Sequence, residues 1–282
     1  MGADRLQPVG EPVRTDAAID RCRNRGKAAF IGYLPAGFPD KQASIDAAKA
    51  LVDAGAHVVE IGLPYSDPSM DGPVIQAATA HALAAGLHTT DVLDVVAAVA
   101  EHGRGSGTAV VVMTYYNPVL RYGVDAFARD LAAAGGAGLI TPDLTPDTGP
   151  DWMAAADAHA LDRVFLISPN STDERLAMTV TASRGFVYAA SLMGVTGERQ
   201  TVSDQAATLV ARAREAGAAR VCVGLGISTP AQAAEVAGFS DGVIVGSALV
   251  RCLAQADDPA AGRAEMSRLA GQIAAGIEEV TA

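Results

Sequence analysis

The chain has 282 residues, of which 50% are hydrophobic and 19% are charged, and its formal net charge is −11 at pH 7. This length suits one α/β domain with a large core rather than a small binding module. The acidic balance argues against a nucleic-acid-binding surface, although backbone amides at helix N-termini can still bind a phosphorylated small molecule.

Short apolar runs with strand character alternate along the chain with alanine-rich helical segments. We predict eight strands, at residues 28–33, 57–62, 109–113, 138–141, 164–168, 186–190, 220–224 and 242–245. The helices that follow them are predicted, in the same order, at residues 41–54, 73–85, 125–134, 150–159, 172–182, 204–216, 229–237 and 247–255. Further helices are predicted at 16–25 and 261–279. Eight βα pairs in this length favour a single (β/α)8 TIM barrel with extra N-terminal and C-terminal helices.

The domain organisation predicted from the sequence is simple. Residues 1–15 are polar and are expected to form a disordered extension, and residues 16–282, which no linker divides, form the barrel domain. No apolar run approaches the roughly 20 residues of a membrane span. The three cysteines, Cys22, Cys222 and Cys252, form no CxxC pair, and no signal peptide precedes them, so we expect a cytoplasmic protein.

Glu60 is the first candidate catalytic residue, because it interrupts the apolar second strand. Alternation along the strand places Val58, Glu60 and Gly62 on one face, which we assign to the barrel interior near the mouth. Burial there would raise the pKa of the carboxyl group and suit it to proton transfer near neutral pH. The alternative is a structural glutamate paired with a lysine or arginine.

Two aspartates follow in the loop after this strand. Asp67 and Asp71 stand in Ser-Asp-Pro and Asp-Gly-Pro contexts, where an aspartate is first of all a turn residue. The position of Asp71, near the start of the next helix and the mouth that Glu60 faces, favours a catalytic role for it. Two carboxyl groups in different environments can divide the acid and base roles.

Glycine-rich turns follow the last three predicted strands and indicate a phosphate site. Residues 194–197 follow the sixth strand, Gly226 the seventh, and Gly246 and Ser247 the eighth. The last two turns each precede a helix, whose free N–H groups attract an anion, and barrels commonly bind phosphate after strands seven and eight. Ordinary helix capping by glycine and serine is the alternative.

Other site types lack their motifs in this sequence. There is no GxxxxGK[ST] loop, no complete dinucleotide fingerprint and no histidine spacing typical of a metal site. No lysine stands at the end of a predicted strand, which argues against a Schiff-base aldolase.

The motifs resemble those of the tryptophan synthase alpha chain family. The most specific element is Glu-Ile-Gly-Leu-Pro-Tyr-Ser-Asp-Pro at 60–68 with Asp-Gly-Pro at 71–73. Further matches are the segments 32–40, 115–118, 142–144, 168–170, 191–197, 224–228 and 245–248, and Tyr188. The resemblance covers nearly the whole chain, except for the first 20 or so residues and the last helix.

This resemblance implies a retro-aldol cleavage of indole-3-glycerol phosphate to indole and glyceraldehyde 3-phosphate, without a cofactor or metal. It implies that Glu60 moves the protons and that Asp71 holds the indole N–H and stabilises positive charge on the ring. The remaining matched residues would line the site (Tyr188), close over the substrate (Thr196) and bind its phosphate (Gly197, Gly226, Gly246 and Ser247).

The family's partner is a pyridoxal-phosphate-dependent beta chain, which takes up indole through a tunnel, so the resemblance implies an alpha2-beta2 heterotetramer. The loop at 64–73 and the loop after the third strand would face that partner. Leu192 and Met193 depart from the Arg-Ser of some members, so closure over the substrate can differ.

Two alternatives stay open at this point. One is another phosphate-binding barrel, such as a sugar-phosphate isomerase. The other is an alpha chain without lyase turnover that only activates its beta partner, against which the retention of Glu60, Asp71 and the glycine turns argues.

Overall fold

Eight parallel strands close into a barrel in the order of the sequence, as predicted. The computed structural model describes residues 11–190, 199–224 and 226–280. The strands are β1 (Ala29–Pro35), β2 (Val58–Gly62), β3 (Ala109–Met113), β4 (Gly138–Thr141), β5 (Asp162–Ile167), β6 (Val187–Ala190), β7 (Val221–Gly224) and β8 (Gly242–Val245). β1 pairs with both β2 and β8, which closes the barrel without a free edge.

Side chains from the strands divide into an interior layer and an outer layer. Ile31, Val58 and Val111 belong to a buried cluster inside the barrel, whereas Val59 and Ile61 pack in the larger cluster between strands and helices. Since side chains alternate along a strand, Glu60 shares the interior face with Val58. The predicted orientation of the second strand is therefore confirmed.

Twelve helices surround the barrel in the described part of the chain. They are α1 (Thr15–Arg23), α2 (Lys41–Asp53), α3 (Pro73–Ala84), α4 (Thr89–Gly103), α5 (Tyr116–Tyr122), α6 (Val124–Ala133), α7 (Pro150–Ala158), α8 (Asp173–Ala182), α9 (Arg199–Glu215), α10 (Pro230–Ala237), α11 (Ser247–Gln255) and α12 (Pro259–Glu279). The last of these packs against α2, α10 and α11 on the outside of the barrel.

Two helices, α4 and α5, were not predicted, so β2 and β3 are each followed by two helices. The buried residues of α4, among them Val92, Val96 and Val99, recur at helical spacing although valine favours strands. At the N-terminus of α4, the side chain of Asp91 accepts the His88 N–H at 2.9 Å. At the start of α5, Asp143 from the next loop accepts the Tyr116 N–H at 2.9 Å, a contact that local sequence does not reveal.

Helix α1 covers the N-terminal end of the barrel. Ala18, Ile19 and Cys22 of this helix join the interior cluster. At its first residue, the Thr15 hydroxyl donates a 2.6 Å hydrogen bond to the fully buried carboxylate of Asp162 at the start of β5. With this end filled by side chains, the open mouth lies at the C-terminal ends of the strands. The domain boundary at residue 16 stays a prediction.

Within the described ranges, no single helix is long and apolar enough to cross a membrane. The pair α3 and α4 passes that test of length and composition only when taken together, and it is bent by 112°.

Candidate active site

A cavity of about 200 Å³ opens at the C-terminal ends of the strands. It brings together six of the eight predicted site residues, namely Glu60, Asp71, Tyr188, Gly226, Gly246 and Ser247. Thr196 and Gly197, the other two, lie outside the described residues. The lining comes from six different strands or the loops after them, so the site exists only because the barrel closes.

Glu60 lies at the base of the cavity, in the middle of β2, with no exposed surface. Among the described residues, neither of its carboxylate oxygens has a hydrogen-bond partner. Burial without compensation disfavours the charged form and raises the pKa of Glu60 to about 8. The alternative of a glutamate held in an ion pair therefore finds no support in the described part of the chain.

Asp71 reaches the same cavity from the loop between β2 and α3. Its backbone is fixed locally, because its N–H donates to the Pro68 carbonyl at 3.3 Å and its own carbonyl accepts from Gln76 Nε2 at 2.8 Å. Partial burial raises the pKa of Asp71 to about 6. Asp67 is exposed, and the Ser66 hydroxyl donates to its carboxylate at 2.6 Å. Its backbone carbonyl accepts the Ser69 N–H at 2.9 Å, which is a local turn contact.

Two tyrosines flank the carboxyl groups, and sequence reasoning missed one of them. Tyr33 on β1 is directly opposite Glu60 in the strand register, and Tyr188 comes from β6. Burial raises the pKa of Tyr33 well above its usual range, with the charges of Asp71 and Glu60 adding to the effect. Tyr33 shares the strand parity of Ile31, which lies in the interior cluster, but β1 contains no charged residue that would mark this face in the sequence.

The start of α11, next to Tyr33, forms another part of the cavity wall. Gly246 precedes this helix directly after β8, and no side chain in the described ranges caps its N-terminus. At α10, by contrast, Thr229 accepts the Gln232 N–H and Gln232 accepts the Ser228 N–H, so capping occupies that helix start. Free N–H groups of α11, beside Gly246 and Ser247, are therefore the ones available to an anion.

The described ranges contain no group of three or more His, Cys, Asp and Glu side chains suited to a metal ion.

Comparison with known proteins identifies the family. A family model described as tryptophan synthase alpha chain matches residues 19–278. Tryptophan synthase alpha chains of Acidothermus cellulolyticus and Mycobacterium tuberculosis are 56% and 54% identical to this chain. The first alignment covers 98% of this chain and 99% of the relative, and the second covers 95% of each.

Solved structures that resemble this chain are also tryptophan synthases. The chain superposes on ligand-free tryptophan synthase from M. tuberculosis with a TM-score of 0.85 and 52% identity, over 94% of this chain and 98% of that one. Tryptophan synthase subunit alpha from Legionella pneumophila gives a TM-score of 0.84 and 32% identity, over 95% and 99%. In sequence and in fold, the chain belongs to the tryptophan synthase alpha chain family.

Proposed function

We propose that the cavity at the barrel mouth is the site of the family's lyase reaction, with Glu60 and Asp71 as its catalytic residues. The reaction cleaves indole-3-glycerol phosphate to indole and glyceraldehyde 3-phosphate. The observation that carries the proposal is Glu60 itself, a fully buried carboxyl group whose two oxygens are without partners in the described part of the chain. Such a group is costly to retain unless it is used.

Glu60 moves two protons in the proposed mechanism. With a pKa of about 8 it is mainly protonated at pH 7, so it can donate a proton to C3 of the indole ring. The resulting carboxylate then takes the proton of the side-chain hydroxyl next to the ring. As that O–H bond breaks, the aldehyde C=O forms and the C–C bond electrons return to the ring, which leaves neutral indole.

Asp71 stabilises the charge that forms between these two steps. With a pKa of about 6 it is mainly ionised at pH 7, while Glu60 is not. Protonation at C3 places positive charge on the ring nitrogen, and a carboxylate that accepts the ring N–H stabilises that charge. The different pKa values divide the two roles between two residues of similar chemistry.

The phosphate of the substrate binds at the glycine turns in this proposal. Gly226, Gly246 and Ser247 line the cavity on the side of α11, whose N-terminus favours a bound anion. Gly197 completes the cradle and Thr196 closes over the substrate. Tyr188, whose ring lies beside the carboxyl groups, contacts the indole ring.

The chain works with a tryptophan synthase beta chain, and we propose an alpha2-beta2 heterotetramer that passes indole to the beta chain. Met70, in the loop after β2, is 46% exposed and Leu120, in α5 after β3, is 53% exposed, and we place the contact at these two elements. We propose that this chain needs no cofactor, since two carboxyl groups supply the chemistry, and that pyridoxal phosphate belongs to the partner. Free Cys22, Cys222 and Cys252 accord with the cytoplasmic location that we propose.

The test is indole release from indole-3-glycerol phosphate by the wild type and by Glu60→Gln, each with and without a beta chain. We expect the wild type to release indole and the variant to lose at least about a hundredfold in kcat, the usual contribution of a general acid–base group. Unchanged turnover by Glu60→Gln would show that Glu60 is not the acid–base group of this reaction. A wild type without lyase turnover that still stimulates the beta chain would be an activator only.

A further inference from the structure

Tyr115 connects the loop that carries Asp71 to the neighbouring part of the barrel mouth, at the end of β3. It directly precedes α5, and only 6% of its surface is exposed. Its Oη accepts a 2.8 Å hydrogen bond from the backbone N–H of Met70, the residue before Asp71. A hydroxyl group on the β3 side of the mouth thus fixes the main chain next to a candidate catalytic carboxylate.

The backbone around Tyr115 is itself firmly held. Both carboxylate oxygens of Asp143 accept the Tyr116 N–H, at 2.9 and 3.1 Å. The Thr114 N–H donates to the Ile140 carbonyl at 3.1 Å. Because these bonds tie both neighbours of Tyr115 to β4 and the loop after it, the ring has a fixed base from which to hold the Asp71 loop.

The Asp71 loop has few other contacts with the barrel. Ser66, Asp67, Ser69 and Met70 are exposed, and the bonds that Asp71 makes with Pro68 and Gln76 are local. At the beginning of the loop, Tyr65 accepts a 3.3 Å bond from Asn117 on α5. The rings of Tyr65 and Tyr115 also pack together, with centroids 5.4 Å apart. Of these links to the rim, the Met70–Tyr115 bond is the one next to Asp71.

We propose that Tyr115 is a positioning residue for Asp71, whose hydroxyl keeps the carboxylate where the ring nitrogen of the substrate arrives. This inference rests on the proposed function. The pKa of Tyr115 is consistent with its closeness to Met70 and Asp71. Burial raises this pKa, the hydrogen bond from the Met70 N–H lowers it, and the charge of Asp71 raises it. Loss of the bond would let the loop move and water reach Asp71, which lowers the pKa of that carboxyl group.

The experiment compares Tyr115→Phe with the wild type and with Tyr122→Phe as a matched control. Tyr122 is the last residue of α5, its hydroxyl donates to Asp130 at 2.8 Å, and neither Tyr122 nor Asp130 lines the cavity. For Tyr115→Phe we expect kcat for indole release to fall roughly three- to tenfold, the usual effect of losing one hydrogen bond, with KM little changed. The acidic limb of the pH profile of kcat/KM, which reports the free enzyme, should also move to lower pH. Tyr122→Phe should leave kcat and the acidic limb unchanged.

Several outcomes would overturn the inference. The first is that Tyr115→Phe has the same kcat and the same acidic limb as the wild type. The second is that kcat falls only in proportion to a loss of thermal stability, while the acidic limb does not move. In case this variant does not fold, amide hydrogen exchange on the wild type gives an independent reading, since rapid exchange at Met70 would also refute the bond. Full activity of Glu60→Gln in the same series would instead refute the proposed function.

Discussion

The hydroxyl of Tyr33 occupies the space beside Gly62 where any other residue would place its Cβ. Both residues lie at the mouth of the barrel, Tyr33 near the end of β1 and Gly62 at the end of β2. Tyr188 has the same relationship to Gly224 at the end of β7. Two glycines at strand ends therefore make room for the two aromatic walls beside Glu60.

We predict that Gly62→Ala destabilises the protein by about 1–3 kcal/mol, the usual cost of inserting a methyl group into a packed site. Displacement of Tyr33 should also lower lyase activity. Removal of the hydroxyl in a Tyr33→Phe, Gly62→Ala double variant should recover part of the lost stability. Urea unfolding measures both effects, and additive losses in the double variant would contradict the predicted contact.

Gly271→Ala is the control for this substitution. A Cβ at Gly271 of α12 would meet no heavy atom within 4 Å, and the backbone there is helical. Because alanine stabilises a helix interior by roughly 0.5–1 kcal/mol relative to glycine, this variant should be slightly more stable than the wild type.

The sequence alone predicts Glu60 more readily than it predicts its surroundings. A charged residue in an apolar strand reveals which face points inward, because side chains alternate. Tyr33 is hidden from the same argument, since every residue of β1 is buried and no polar residue marks its parity. The separation of the pKa values of Glu60 and Asp71 depends on how much water each group loses, which only the closed barrel determines.

We predict a bell-shaped pH profile for kcat/KM of indole release. Activity should rise as Asp71 ionises near pH 6 and fall as Glu60 loses its proton near pH 8. Because the two carboxyl groups share one cavity, the limbs report the pair rather than either residue alone. Asp71→Asn should remove the acidic limb and lower the maximum. A profile that stays flat from pH 5 to pH 9 would contradict this division of roles.

We predict that Glu60→Gln stabilises the fold at alkaline pH although it lowers activity. The pKa of Glu60 is raised from 4.5 to about 8 in the folded chain, so the folded state retains a proton that the unfolded state has released. Stability associated with this group is therefore fully present below about pH 4.5 and is lost as the pH rises towards 8. Glutamine does not titrate, so the advantage of the variant should grow over this window and then level off. Urea unfolding at pH 5, 7 and 9 tests this, and an advantage that is the same at all three would be contrary to the burial of an unpaired carboxyl group.

His57 lies just before β2, at the opposite end of the barrel from the cavity. Its Nδ1 accepts the backbone N–H of Phe30 on β1 at 3.1 Å, a bond that only the neutral ring can make. Burial, with a smaller contribution from the charge of Arg25, lowers the pKa of His57 from its usual 6.5. As the pH falls, the unfolded chain takes up this proton before the folded chain does. The stability from this group is therefore fully present above about pH 6.5 and is lost as the pH falls towards the pKa of the folded state.

His57→Asn retains a hydrogen-bond acceptor that does not titrate, so it should remove this part of the acid sensitivity. His57→Ala should cost about 1–3 kcal/mol of stability at pH 8, because it leaves the Phe30 N–H unpaired. Unfolding free energies of the three proteins between pH 5 and pH 8 decide the matter, because equal slopes for the wild type and His57→Asn would mean that this histidine does not couple protonation to folding.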